Sequence, residues 1–340
     1  MANWFQKQWL TFTLWHVLLI PLAWIFGFVT FTRKLLYKNG WLNSYRLNVP
    51  VIVVGNINVG GTGKTPLVIW LAGQLKVAGY NPGIISRGYG GNTKGVQPVF
   101  FHSHPQDVGD EPVLIAKHTH CPVYVSQNRV AAGKALLKAH PECNVVISDD
   151  GLQHYRLQRD VEIVVFDGAK GFGNGALLPA GPLRESVARL NEVDAVISNG
   201  KVASAIKVLH TDGIVPIEMQ LASGSFYNLI DNNLKVDAQY FANQQVLAIA
   251  GIGNPERFFQ QLQRLGLNFQ SRAFPDHHAF QSQDFEQVTA EVIVMTEKDA
   301  VKCLSFAQSN YWVLPVVAVI NEDLIQTVSN KLQHKEILSK

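Results

Sequence analysis

At roughly 150 residues per domain, 340 residues make about two domains, and 47% hydrophobic residues supply two packed cores, which excludes disorder as the main theme. Lys and Arg total 29 against 26 Asp and Glu, a net charge of only +3 with no basic tract, so the charge pattern gives nucleic acid no footing as a partner. Cys121, Cys143 and Cys303 are far apart and form no C-x-x-C pair, so no disulfide framework or zinc site is readable and a reducing compartment fits.

The first predicted element is the run from Trp9 to Thr32, which contains no Asp, Glu, Lys or Arg. As a helix its 24 or so residues would reach roughly 36 Å, against a hydrocarbon thickness of roughly 30 Å. It is longer than a cleavable signal and ends in Arg33, Lys34 and Lys38, which makes it an uncleaved anchor with the bulk of the chain on the cytoplasmic side. Pro21 near its middle leaves two geometries open, a span or a helix that dips into one leaflet.

After Pro50 the chain reads as alternating strands and helices. Apolar β-branched runs at Val51–Val54, Val145–Ile147, Val161–Phe166 and Ala195–Ile197 are hydrophobic on both faces, the mark of buried parallel strands in an α/β layer. Between about Ile214 and Val236 short alternating segments and the turn signals Gly224 and Asp231-Asn232-Asn233 predict a β-ribbon linker. A second α/β unit follows, with strands at Val246–Ala250, Val292–Met295 and Val313–Ile320. The expected division is therefore an anchor and juxtamembrane segment at 1–49, a P-loop domain at 50–213, a ribbon at 214–236 and a smaller α/β domain at 237–340.

The strongest chemical signal is Gly60-Gly61-Thr62-Gly63-Lys64-Thr65, placed between the strand Val51–Val54 and a helix-like run from Leu67 to Lys76. Glycines let backbone N–H groups turn inward around a triphosphate, the helix N-terminus adds positive potential, Lys64 reaches the outer phosphates and Thr65 can hold Mg²⁺. The first glycine of the G-x-x-x-x-G-K-T pattern is replaced by Asn58, a residue that tolerates left-handed geometry. The strand at Val145 ends in Asp149-Asp150, where ligands bind in open α/β sheets, and either carboxylate can orient the magnesium shell. Beyond the loop, Gly109-Asp110-Glu111-Pro112 offers an acid and Phe274-Pro275-Asp276-His277-His278 an imidazole for acceptor activation; spacing alone does not pair them.

These segments, together with Ser86-Arg87-Gly88-Tyr89-Gly90, Ser148-Asp149-Asp150-Gly151-Leu152-Gln153-His154, Leu178-Pro179-Ala180-Gly181-Pro182-Leu183-Arg184-Glu185 and Thr296-Glu297-Lys298-Asp299-Ala300, resemble the tetraacyldisaccharide 4′-kinases of the Gram-negative lipid A pathway. The resemblance runs along essentially the whole chain. It implies two α/β/α domains joined by a two-stranded linker, ATP and Mg²⁺ as cofactors, and an acylated glucosamine disaccharide 1-phosphate as acceptor, met at the cytoplasmic face of the inner membrane. It further implies Asp110 as the base, with His277 as its orienting partner and His278 as the alternative. Lys64 would stabilise phosphate charge, Thr65 with Asp149 or Asp150 would arrange Mg²⁺, and Gln153, His154, Arg129 and Arg184 would serve the nucleotide and acceptor. The rival class is a membrane-associated partition-type ATPase, whose loop carries a lysine just before its first glycine; here that position is Val59.

Overall fold

The computed structural model describes residues 8–9, 11, 13–203, 215–286, 289–321 and 323–338. Its first element, α1 (Leu14–Lys38), starts later and ends later than the charge-free run, and Leu10 and Phe12 of that run lie outside the described residues. Pro21 sits inside the helix without ending it, forgoing the one hydrogen bond that a backbone N–H there would give to the Val17 carbonyl. Ala23 and His16 turn inward, whereas Leu18, Trp24, Ile25, Phe28 and Phe31 are more than half exposed. Gly27 brings the helix against Leu177, and Lys34 pairs with Glu192.

A nine-stranded sheet carries the first core. In chain order its parts are β1 (Val51–Gly55), α2 (Lys64–Val77), β2 (Pro82–Ser86), β3 (Gln97–Val99), α3 (Pro105–Val108), α4 (Asp110–Thr119), β4 (Val123–Val125), α5 (Arg129–Ala139), β5 (Val145–Asp149), β6 (Val161–Asp167), β7 (Ala195–Asn199) and β8 (Ile217–Ser223). A ninth strand, β15 (Val316–Ile320), comes from far along the chain, and the order across the sheet is β15-β8-β7-β6-β1-β5-β2-β4-β3. Only the outer pairs β3–β4 and β8–β15 are antiparallel. Both faces are covered because successive residues of a strand point to opposite sides. Ile52 and Val54 face the core formed with Leu67, Leu71 and Leu75 of α2, while Val51 and Val53 face the one formed with Val130 and Leu136 of α5.

The second sheet has six strands: β9 (Phe226–Asn228), β10 (Lys235–Val236), β11 (Val246–Ala250), β12 (Gln270–Ala273), β13 (Val292–Thr296) and β14 (Tyr311–Leu314). Their order is β10-β9-β14-β13-β11-β12, with α6 (Pro255–Arg264) after β11 and α7 (Glu297–Cys303) after β13. Phe258, Phe259 and Leu262 of α6 fill one of its cores, and the other is built around Phe280, Phe285 and Tyr311.

Two boundaries differ from the expected division. The ribbon is β8 paired with β15, Ser223 opposite Val316 and Met219 opposite Ile320, while β9 and β10 join the second sheet. The chain after β14 does not stay with the second unit: β15 and α8 (Asp323–Leu338) return to the first, where Leu324, Val328 and Leu332 are fully buried beside α2. A lone apolar strand shows which face is buried but not which strand lies beside it, so the partner of β8, from the far end of the chain, is invisible locally. The expected ribbon start falls among residues 204–214, outside those described.

Candidate active site

Both sheets direct the C-terminal ends of their parallel strands into one cleft, where open α/β sheets bind ligands. From the first sheet come the loop after β1, Ser86 at the end of β2, Asp149 at the end of β5 and Asn199 at the end of β7. From the second come Gly251–Gly253 after β11, His277 after β12 and Lys298 on α7. The two sides touch at Gly253, where an added Cβ would lie 3.1 Å from Asp276 Oδ2 and 3.5 Å from the Gly61 backbone nitrogen.

Gly60-Gly61-Thr62-Gly63 wraps into the first turn of α2, with Gly60 at φ 113° and Gly63, the residue before the helix, at φ 94°. A side chain at Gly63 would also meet Asn199 Nδ2 at 2.5 Å, so this position needs glycine twice over. Asn199 Nδ2 donates to the Thr62 carbonyl at 3.1 Å, and Arg257 of α6 donates to Asn199 Oδ1 at 2.7 Å, tying the second sheet's helix to the loop. Asn58 is mostly buried and bridges to Leu183, so the departure from the usual glycine is absorbed by an added backbone contact.

β1 and β5 are neighbours in register, Val54 opposite Asp149, which puts the carboxylates next to the loop. Lys64 Nζ is 3.4 Å from Asp150 Oδ1, Arg184 is 3.8 Å from Asp150 Oδ2, and Ser86 Oγ donates to Asp149 Oδ2 at 3.0 Å. Asp150 holds a left-handed φ of 48°, a strain of order 1–3 kcal/mol that its surroundings must over-determine. Arg129 does part of that, donating to the Asp150 carbonyl at 3.1 Å. Burial would raise the Asp150 pKa, but Lys64 and Arg184 more than cancel it and hold the group below its ordinary value. Asp149 goes the other way, pushed up to about 7 by burial and by the charges of Glu111 and Asp150. Its Oδ1 and Asp150 Oδ1 are buried without a hydrogen-bond partner. Asp149 Oδ1, buried with no partner, and Asp150, whose Oδ1 meets only Lys64 at 3.4 Å among the described residues, fit Mg²⁺, which takes one or two carboxylates and completes its shell with water and phosphate. Among the described residues no group of three or more His, Cys, Asp or Glu is arranged as an all-protein metal cage.

Asp110 opens α4 and is 4% exposed. A negative charge is favoured at a helix N-terminus, and the Glu111 backbone N–H donates to Asp110 Oδ1 at 2.8 Å. Its Oδ2 lies 3.0 Å from His277 Nδ1, whereas His278 pairs with Asp284 at 3.0 Å. Burial alone would raise the Asp110 pKa, but the His277 hydrogen bond and the charges of Lys298 and Lys302 bring it below the usual carboxylate range. His277 has φ 59° and is held by its own N–H on the Gly251 carbonyl, 3.2 Å, and by the Tyr89 ring edge 5.0 Å away. A cavity of about 330 Å³ opens beside the pair, lined by His102, His104, Phe280 and Leu304 among others.

Arg129 is 4% exposed and donates to the Asp150 carbonyl at 3.1 Å. The Gln153 amide lies beneath the loop, donating to the Asn56 carbonyl at 3.1 Å and to Glu185 Oε1 at 2.6 Å, which braces the loop from behind. His154 is held near a pKa of about 4 by burial and the neighbouring charges of Arg129, Arg159, Arg33 and Arg156, so it is neutral at physiological pH. Sequence reasoning missed Ser86, Asn199, Arg257 and Glu185; Ser86 and Glu185 stood in the quoted motifs, and nothing local marks Asn199 or Arg257.

The fold and site define a P-loop α/β phosphotransferase. The family model described as tetraacyldisaccharide-1-P 4′-kinase, LpxK, matches residues 15–333, and the chain belongs to this family. A tetraacyldisaccharide 4′-kinase of Methylobacillus flagellatus is 48% identical over 99% of this chain and 98% of its own, and one of Pasteurella multocida is 46% identical over 96% of each. The crystal structure of LpxK from Aquifex aeolicus in complex with ATP superposes with a TM-score of 0.75 at 28% identity, covering 95% of this chain and 99% of that one. Family membership also removes the partition-type ATPase reading.

Proposed function

We propose that this chain transfers the γ-phosphate of ATP to the 4′-hydroxyl of a tetraacylated glucosamine disaccharide 1-phosphate, forming lipid IVA in lipid A biosynthesis. The observation that carries the reading is the Asp110–His277 pair at 3.0 Å, standing in the same cleft as the phosphate loop and beside a cavity. A nucleotide switch has no need of a second oriented carboxylate outside its phosphate cradle.

In this reading Asp110 accepts a hydrogen bond from the acceptor hydroxyl. As the hydroxyl oxygen bonds to the γ-phosphorus, the bond from that phosphorus to the bridging oxygen of ADP breaks and the hydroxyl proton passes to Asp110. A loose phosphoryl-transfer transition state asks little of base strength, so a carboxylate with a low pKa serves mainly to orient the nucleophile. His277 fixes the carboxylate's direction. Lys64, whose Nζ lies 3.4 Å from Asp150 Oδ1, would meet the outer phosphates. Mg²⁺ held by Thr65, Asp149 and Asp150 would neutralise charge on the transferred group.

The cavity suits a sugar edge rather than four acyl chains, which stay in the bilayer at about 0.8 kcal/mol per buried CH₂. Residues 1–49 then serve as the anchor, with the exposed face of α1 in lipid and the rest at the cytoplasmic face of the inner membrane. Residues 50–223 with 316–338 make the kinase lobe, 226–314 the second lobe, and the β8–β15 ribbon joins them. The test is to incubate the full chain, the acylated disaccharide 1-phosphate and γ-labelled ATP in mixed micelles with Mg²⁺. Label should enter a lipid-soluble, doubly phosphorylated product, and Lys64→Ala should abolish it; label released only as inorganic phosphate would overturn the assignment.

A further inference from the structure

Lys298 stands on the first turn of α7, and its ammonium reaches three groups in the cleft. Glu111 Oε1 is 2.9 Å away, Asp276 Oδ1 3.8 Å and His277 Nε2 3.4 Å. Neutral imidazole has one nitrogen that donates and one that accepts, whereas an ammonium only donates. The Lys298 contact is long for a hydrogen bond, yet a proton on Nε2 would then point at a positive charge, and that repulsion selects the other tautomer. A lone pair on Nε2 leaves the proton on Nδ1, where the 3.0 Å contact to Asp110 requires it.

We propose that Lys298 is a positioning residue for the phosphoryl transfer: by facing His277 Nε2 it fixes the neutral Nδ1–H tautomer, which keeps Asp110 ionised and aimed at the acceptor hydroxyl. The proposal rests on the reading of Asp110 given above. Glu111, next in the chain to Asp110, holds the ammonium in place, so one turn of α4 carries both the carboxylate and the clamp for the lysine that acts on its partner. Burial alone would lower the Lys298 pKa, but Glu111, Asp110 and Asp276 more than offset it and raise it, so the ammonium is charged throughout the physiological range.

The charged and titratable groups around the imidazole are Asp110 from α4, Asp276 from its own loop, Lys298 from α7 and the phenol-bearing ring of Tyr89; Lys302 of α7 lies 3.9 Å from Asp110 Oδ2. Remove Lys298, and Asp276, 3.8 Å from Nε2, becomes the charged neighbour on that side. His277 would then sit between two carboxylates, an arrangement that favours imidazolium. A doubly protonated His277 draws the Asp110 carboxylate into an ion pair and away from the acceptor hydroxyl, so the active form is the one with neutral imidazole and the pH below which activity falls should rise.

The direct test is ¹⁵N NMR of histidine-labelled full-length protein, with the His277 signals identified by their loss in His277→Gln. The wild-type chain should show Nδ1 protonated and Nε2 bare at pH 7. Lys298→Met should show both nitrogens protonated at that pH, lower kcat about 10-fold, and move the acid limb of the kcat profile up by about one pH unit, with KM for ATP unchanged. Lys298→Arg should keep the tautomer and most of the activity, and Lys298→Met should add nothing in a His277→Gln background. A wild-type spectrum with Nε2 protonated overturns the proposal, as does a Lys298→Met protein that loses stability but keeps the tautomer and pH profile. If Lys298→Met does not fold, the wild-type spectrum decides alone. The spectrum needs no turnover, so a failure of the kinase assignment itself would register separately, as an active Asp110→Ala enzyme.

Discussion

Asp110 and Asp149 are both buried carboxylates at the cleft, and their neighbours drive them in opposite directions. Asp110 has a hydrogen bond from His277 and two lysines nearby; Asp149 has one hydroxyl and two like charges. A group whose folded pKa is raised loses stability for the fold as pH climbs from the unfolded value to the folded one. For Asp149 that window runs from 3.8 to about 7. Asp149→Asn should therefore raise the Tm at pH 8, lose that advantage once the pH falls well below 3.8, where both states are protonated, and abolish Mg²⁺-dependent turnover. A Tm difference that does not change with pH would mean that Asp149 is not the strained group. The pair at 149 and 150 was legible as a carboxylate-bearing strand end, because an apolar strand running into Asp-Asp is a local pattern. The Asp110–His277 pair was not readable from spacing, since 167 residues separate its members and only the fold brings them to 3.0 Å; resemblance supplied it.

At the scale of elements, α1 shows how a charge-free run becomes a surface. Its contacts with the rest of the chain include Gly27 against Leu177, the Lys34–Glu192 pair and the Tyr37 ring beside that of Tyr155, whereas Trp24 and Phe28, one turn apart, are 73% and 70% exposed. An apolar face of this kind, with none of the described residues over it, marks an interaction surface, and in the proposed reading that surface is lipid. Trp24→Asp with Phe28→Asp leaves the packed side untouched and should shift most of the protein from liposomes to the supernatant in a flotation assay. Unchanged flotation would place the main membrane contact elsewhere. The long apolar helix was legible because hydrophobic length is a one-dimensional property. The β8–β15 ribbon was legible only by half, as its alternation shows in the sequence but its partner lies beyond the whole second sheet.

At the scale of the molecule, two mostly parallel sheets turn the C-terminal ends of their parallel strands to one cleft, and the proposed catalytic unit is divided between them. The nucleotide side is built from loops of the first sheet, while His277 and Lys298 arrive from the second. His118 Nε2 on α4 and Glu297 Oε1 on α7, 2.8 Å apart, join the same two helices at their other faces, and Arg257 links α6 to the phosphate loop through Asn199. The parallel α/β character was legible in the apolar β-branched runs; the return of β15 and α8 to the first core was not, because both apolar patterns would suit either sheet.

The central claim is that Asp110 from one lobe and His277 from the other act as a single unit on the acceptor hydroxyl. A double-mutant cycle on kcat, with ATP binding followed separately, tests it most directly. Asp110→Ala should lower kcat by roughly 10²–10⁴ with ATP affinity unchanged, and His277→Ala should do less. The double variant should be little worse than Asp110→Ala alone, because members of one catalytic unit are not additive. Losses that multiply fully across the cycle would contradict the account.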